Sequence, residues 1–155
     1  MNEQPDLGAG ELRIRSSRGP EDFAPLVAIW RSAVDATHDF LSESDRSQIE
    51  SKLESDYFPA VSLTIAELNG RPVGFSGVLD GNLEMLFIDA EQRGTGIGTR
   101  LLSRAVNDHG VRNVDVNEQN RQAVEFYTRR GFHLVARSET DEAGRPYPLL
   151  HLQLS

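Results

Sequence analysis

Arg93-Gly94-Thr95-Gly96-Ile97-Gly98 separates a strand-like run, Leu83 to Ile88, from a helix-like run, Thr99 to Asp108, and the reading of this loop decides the fold. Glycine tolerates positive φ and lets ligand atoms approach the backbone closely. A loop that opens a helix points unpaired N–H groups and the positive end of the helix dipole at an approaching anion. Arg93 adds a fixed charge. A solvated turn would account for the glycines alone. Alternating glycines behind an arginine, set at a strand-to-helix junction, point instead to a phosphate cradle.

Three phosphate-binding loops look alike at this level, and their spacings separate them. A Walker A loop follows its last glycine with Lys-Ser or Lys-Thr, whereas Gly98 is followed by Thr99 and Arg100, so the lysine that reaches the terminal phosphates is missing. A dinucleotide fingerprint needs Gly-x-Gly-x-x-Gly in an early βαβ unit; here the third glycine comes one residue early and the loop lies past mid-chain. Asp115 stands near where a ribose-binding acid would be, so an NAD(P)-dependent oxidoreductase remains an alternative.

Outward from the loop, the pattern predicts β-α-α-β-β-β-α-β-α-β-β. Leu12 and Ile14 alternate as a first strand, and Gly19-Pro20-Glu21-Asp22 opens a helix bearing Phe23, Leu26, Val27, Trp30 and Val34 at helical spacing. Ser42 and Asp45 form a capping box for a second helix with Ile49, Leu53 and Tyr57 on one face. Asn69-Gly70 and Asp80-Gly81 are hairpin dipeptides, which make Ser62–Leu68, Val73–Leu79 and Leu83–Ile88 an antiparallel meander. After the loop, Ile97, Leu101, Leu102, Ala105 and Val106 mark a helix closing at His109-Gly110. The strand Val111–Asn117 then lies parallel to Leu83–Ile88, with the loop at their C-terminal ends. Asn120 caps a last helix bearing Ala123, Val124 and Tyr127, and Phe132–Arg137 with Leu149–Leu154 close the sheet around a polar loop, Glu139 to Pro146.

Arg-x-x-Gly-x-Gly at this position resembles the GNAT superfamily of N-acetyltransferases. A second block, Asn117-Glu118-Gln119-Asn120-Arg121-Gln122-Ala123-Val124-Glu125-Phe126-Tyr127 followed by Gly131-Phe132, is similar to that family's later element. Val34 to Leu41 and Pro146 to Leu150 resemble the YjaB-type subgroup of small bacterial GNAT proteins. The resemblance covers all but about the first ten residues, which are expected to be a flexible segment (1–10) ahead of a single domain (11–155). It implies an α+β (α/β) GNAT fold: a mixed, mostly antiparallel sheet flanked by about four helices. It also implies acetyl-CoA as co-substrate, its pyrophosphate held by Arg93, Gly94, Thr95, Gly96, Ile97, Gly98 and Thr99, with Asn120 and Tyr127 near the thiol end.

Acetyl transfer from a thioester to an amine makes three demands. The carbonyl oxygen must be polarised, and preorganised backbone N–H groups suit that task. The resemblance implies that Leu83–Ile88 splays from its parallel neighbour, freeing main-chain groups of Leu86, Phe87 and Ile88 for the acyl and pantetheine parts. The leaving thiolate benefits from a proton, and Tyr127 matches the position from which family members supply a phenol to the sulfur. The amine, with an ammonium pKa of about 10.4, must lose a proton before attack. Candidate bases are Glu84 on the central strand and His38, beside Asp39, in the polar break between the first two helices. His38 is the favoured one, because histidine titrates near neutrality without a large shift. Tyr147 either lines the acceptor pocket or packs on the core. A catalytically silent acyl-CoA sensor or partner subunit of the same fold would show the same motifs.

Composition bounds this reading. The 155 residues, 38% of them hydrophobic, suffice for one core. With no cysteine, disulfides, protein thiolate catalysis and cysteine-based zinc sites are excluded, and no metal is expected. The formal net charge of −8 disfavours nucleic acid and favours a cationic acceptor, a protein lysine or a small amine. No apolar run reaches the length of a membrane span, and the first residues, with Glu3 and Asp6, lack the basic and apolar regions of a signal peptide. A cytoplasmic monomer or homodimer is the expectation.

Overall fold

The computed structural model describes residues 11–155; the flexible segment expected over residues 1–10 lies outside the described residues. The elements run β1 (Leu12–Ser16), α1 (Phe23–Thr37), α2 (Glu43–Lys52), β2 (Ser62–Leu68), β3 (Arg71–Leu79), β4 (Asn82–Ile88), α3 (Ile97–His109), β5 (Asn113–Asn117), α4 (Arg121–Arg129), β6 (Phe132–Ser138) and β7 (Leu149–Leu154). That is the expected order. The strands form one sheet, β1-β2-β3-β4-β5-β7-β6, antiparallel except for the β4–β5 pair. Both hairpin dipeptides turn as read: Asn69 and Gly70, and Asp80 and Gly81, all adopt positive φ.

Strand alternation sends successive side chains to opposite faces. Ile65 and Phe75 pack with Leu26 and Trp30 of α1, while Ala66 and Val73 pack with Ile97 and Leu101 of α3. Farther along the sheet, Val114, Val116 and Leu152 meet Leu102 and Ala105 of α3 and Tyr127 of α4. The sheet is thereby a filling between α1 on one side and α3 with α4 on the other.

Three local expectations need correction. Ser42 does cap α2, its hydroxyl accepting from the Asp45 N–H at 3.1 Å, but the reciprocal half of the capping box is absent. The Tyr147 hydroxyl takes its place, accepting from the Ser42 N–H and donating to Asp45 Oδ2. α2 stops at Lys52 and continues as a π-helical turn, Leu53–Tyr57, in which the Phe58 N–H reaches the Leu53 carbonyl. The wider turn puts Leu53 and Phe58, five apart, into the core at 2% and 1% exposure, and leaves Tyr57 half-buried at a cleft. β5 starts at Asn113 rather than Val111, because the Val111 N–H is spent on the Ala105 carbonyl as α3 ends at Gly110 with φ +66°.

Candidate active site

β4 and β5 pair at only two positions, Asn82↔Asn113 and Leu83↔Val114, although both strands run on. Beyond them the sheet opens as a fork. Leu86, Phe87 and Ile88 remain paired with Ser76, Phe75 and Gly74 of β3, so their other edge faces the opening. Glu84 is the extra residue of a bulge in β4, where Leu83 pairs with Val78 and Met85 with Gly77. A bulge re-aims the side chain it carries.

The glycine loop sits at the open end of the fork. Asp89 accepts from the Glu91 N–H at 3.0 Å and is tied to Ser32 of α1, whose hydroxyl accepts from the Ala90 N–H, so the exit of β4 is held against α1. Gly94 and Gly96 have φ of +77° and +89°, and Gly96 is the N-cap residue of α3. Gly98 differs: no positive φ is required of it, and an added Cβ would meet the Phe126 ring at 3.5 Å and Ile88 Cγ1 at 3.9 Å, both ordinary contacts. Neither backbone nor packing demands glycine there. What the missing side chain leaves open is the approach to the first turn of α3, whose N–H groups lack intrahelical acceptors. Arg93 donates to Gln122 at the start of α4. Arg130, from the end of α4, donates to Thr99 Oγ1 at 2.7 Å and lies 3.8 Å from the centre of the Phe126 ring. Two guanidiniums thus flank the helix start, the second of which sequence reasoning did not single out.

A cavity of about 190 Å³ joins Leu86, Phe87 and Ile88 of β4 to Arg93, Gly98, Asn120, Tyr127 and His38. Asn120 caps α4, its side-chain oxygen accepting from the Ala123 N–H at 3.3 Å, while lining this cavity. Tyr127 is 6% exposed, and burial alone lifts its phenol above the ordinary value, so it stays protonated at neutral pH. His38 ends α1, with Nδ1 2.7 Å from Thr37 Oγ1. Burial pushes its pKa down to about 4, the charge of Asp39 opposing only in part. The expectation that His38 titrates near neutrality is therefore corrected: it is neutral there and a weak base.

Glu84 stands elsewhere. It lines a cleft of about 430 Å³ with Asn82, Asp115, Asn117, Tyr57 and the β6–β7 loop. An adjoining apolar hollow shares Glu84, Tyr57 and Ile49 with this cleft and reaches Phe87, which also borders the Tyr127 cavity. Desolvation is the main cause raising the Glu84 carboxyl above its ordinary value; Asn82, donating at 2.5 Å, opposes it, and the charges of Glu142 and Asp115 add to it. Tyr147 does not line the cleft; it is buried and fastens the β6–β7 loop to α2, as does Arg145 through Asp45 and Gln48. Among the described residues no group of three or more acids or histidines is placed to hold a metal ion.

This arrangement has known counterparts. Residues 32–148 match the family model described as an acetyltransferase (GNAT) domain. The chain belongs to the GNAT family. It is 46% identical over 142 residues to the peptidyl-lysine N-acetyltransferase YjaB of Salmonella typhimurium strain LT2, covering 91% of this chain and 97% of that one. The solution structure of apo-form YjaB from Escherichia coli superimposes with a TM-score of 0.82 at 42% identity, over 92% of this chain and 97% of the other. A PaiA N-acetyltransferase from Thermoplasma acidophilum, solved with coenzyme A, shares the fold at a TM-score of 0.72 and 19% identity, over 92% and 99% of the two chains. This GNAT protein is an acetyltransferase whose described residues form a seven-stranded mixed sheet and four α-helices.

Proposed function

We propose that this GNAT enzyme binds acetyl-CoA and an amine together and transfers the acetyl group by direct attack. The observation that carries the reading is the fork: one cavity unites the phosphate cradle, the unpaired edge of β4 and the Tyr127 phenol, while Glu84 and the acidic cleft open beside it. The pyrophosphate takes the N–H groups of α3's first turn, with Arg93 and Arg130 adding charge. The thioester lies along Leu86–Ile88, where backbone N–H groups polarise its carbonyl. The amine nitrogen attacks the carbonyl carbon, the C–S bond breaks, and the phenol of Tyr127 donates to the departing sulfur.

Because His38 is neutral and weakly basic, the proton is assigned to Glu84, directly or through one water. His38 then lines the donor cavity. The acceptor is a peptide lysine: both YjaB relatives are named for that substrate, and an acid-lined cleft suits an ammonium.

Acetyl-CoA at about a hundred times its Kd raises stability by about 2.7 kcal/mol and Tm by roughly 5–10 °C, with NADH and ATP far less effective. Tyr127→Phe lowers kcat for CoA release with a lysine peptide by about a hundredfold while leaving acetyl-CoA affinity near normal. A Tm shift with NADH and none with acetyl-CoA overturns the reading.

A further inference from the structure

We propose that Asp115, held by His151, is a second carboxylate of the acceptor site and receives the amine's positive charge at the fork. This rests on the acetyltransferase reading and extends it to residues on β5 and β7.

Asp115 directly follows Val114, the last residue of β5 paired with β4, just as Glu84 directly follows Leu83 on the other arm. The two carboxylates therefore stand where the ladder stops, and both line the same cleft. Val114 and Val116 point into the core beneath α3 and α4, so alternation places Asp115 on the opposite face. Its orientation is fixed from below. His151 of β7 is its cross-strand partner, and Nδ1 meets Asp115 Oδ1 at 2.6 Å. The other ring nitrogen, Nε2, lies 2.7 Å from Ser138 Oγ of β6. With Nδ1 donating to a carboxylate, Nε2 of the neutral ring accepts and the serine hydroxyl donates, which fixes the tautomer.

A contact this exposed, at 30% and 28% for the two side chains, adds little to stability. What it does is hold Asp115, engaged through Oδ1, at the wall of the cleft. The other charged groups facing the cleft leave that role open. Asp141 is engaged by Arg145, Arg145 itself also reaches Asp45 and Gln48, and Glu142, on the β6–β7 loop, adds to the negative charge of the cleft. Asp115 is thus the acceptor-binding residue and His151 a positioning residue acting through it. The Glu84 carboxyl is raised chiefly by desolvation, and the negative charges of Glu142 and then Asp115 add to that in the same direction.

The test is CoA release with a lysine peptide. Asp115→Asn and His151→Leu raise KM for the peptide about tenfold or more, with kcat and the KM for acetyl-CoA within about threefold of wild type. His151→Asn, whose amide N–H stands where Nδ1 does, restores most of the peptide KM. Unchanged peptide KM in Asp115→Asn and His151→Leu overturns the inference while leaving the enzyme reading intact. Loss of both CoA release and acetyl-CoA binding in the wild type instead overturns the enzyme reading.

Discussion

Gly98 is the residue whose identity the chain's own structure does not explain. Its neighbours Gly94 and Gly96 need glycine for their positive φ, but Gly98 lies inside the first turn of α3 with room for a methyl group. Gly98→Ala is therefore expected to hold or raise apo stability, by about 0.5–1 kcal/mol through helix propensity, and to weaken acetyl-CoA binding as the methyl group crowds the approach. Thermal melts with and without acetyl-CoA separate the two effects; equal ligand-induced shifts in variant and wild type mean that the loop is only a turn. The assignment of the proton acceptor is also tested at this scale. A carboxylate base must be ionised, so kcat/KM rises with pH through a limb above the ordinary carboxylate range, distinct from the limb set by the ammonium near about 10.4. Glu84→Gln removes the lower limb and His38→Gln leaves it, since His38 titrates near 4. The reverse result returns the role to His38.

Among the elements, the β6–β7 loop joins parts of the chain that sequence separation hides. Tyr147 lies 102 residues from Asp45, yet its phenol completes the cap of α2 and holds Asp45 below the ordinary carboxylate range. Tyr147→Phe keeps the buried ring and deletes this bridge. It is expected to lower Tm by a few degrees and to raise KM for the peptide without changing KM for acetyl-CoA, because the freed loop borders the acceptor cleft alone. Steady-state kinetics in both substrates check the split. The elements themselves were legible because period and punctuation agree: Asn69-Gly70 and Asp80-Gly81 sit between alternating runs, and Gly110 follows a helical face. The π-helical turn was not, since Leu53 and Tyr57 fit a regular helix equally well and only the demand to bury Phe58 decides between them.

At the scale of the whole molecule, stability against acid falls in two windows. Unfolded His38 takes up a proton near its ordinary value of 6.5 and the folded residue only near 4, so stability declines as pH falls between them. Below about pH 4 a second group takes over. Asp22 is 8% exposed and held well below the ordinary carboxylate range, chiefly by Arg15, with the Arg18 N–H and Ser17 hydroxyl assisting. Its contribution is present above the ordinary aspartate value and is lost as pH falls further. Arg15→Met is expected to cost about 3 kcal/mol at neutral pH and to flatten the acid limb, which denaturant titrations from pH 3 to 7 would register.

The residues of the proposed cradle and Tyr127 could be singled out because they sit in contiguous motifs, Arg93 to Gly98 and Asn117 to Tyr127. Arg130, Asp115 and His151 were not, because the roles proposed for them come from helix docking and strand pairing that bring together residues 31 and 36 positions apart. The low pKa of His38 was equally hidden, being a matter of burial and not of residue type.

The two residue pairs that join β4 to β5 have one more consequence. They make the sheet a pair of panels, β1 to β4 on one side and β5, β7 and β6 on the other, hung on a hinge two pairs long. With so short a joint, the spacing of the panels falls to the helix laid across them: α3 packs on Ala66 and Val73 of one and on Val114 and Leu152 of the other. In the proposed complex, acetyl-CoA lies along β4 in the gap so framed, and α3, whose first turn meets its pyrophosphate, is the same helix that sets the width of that gap.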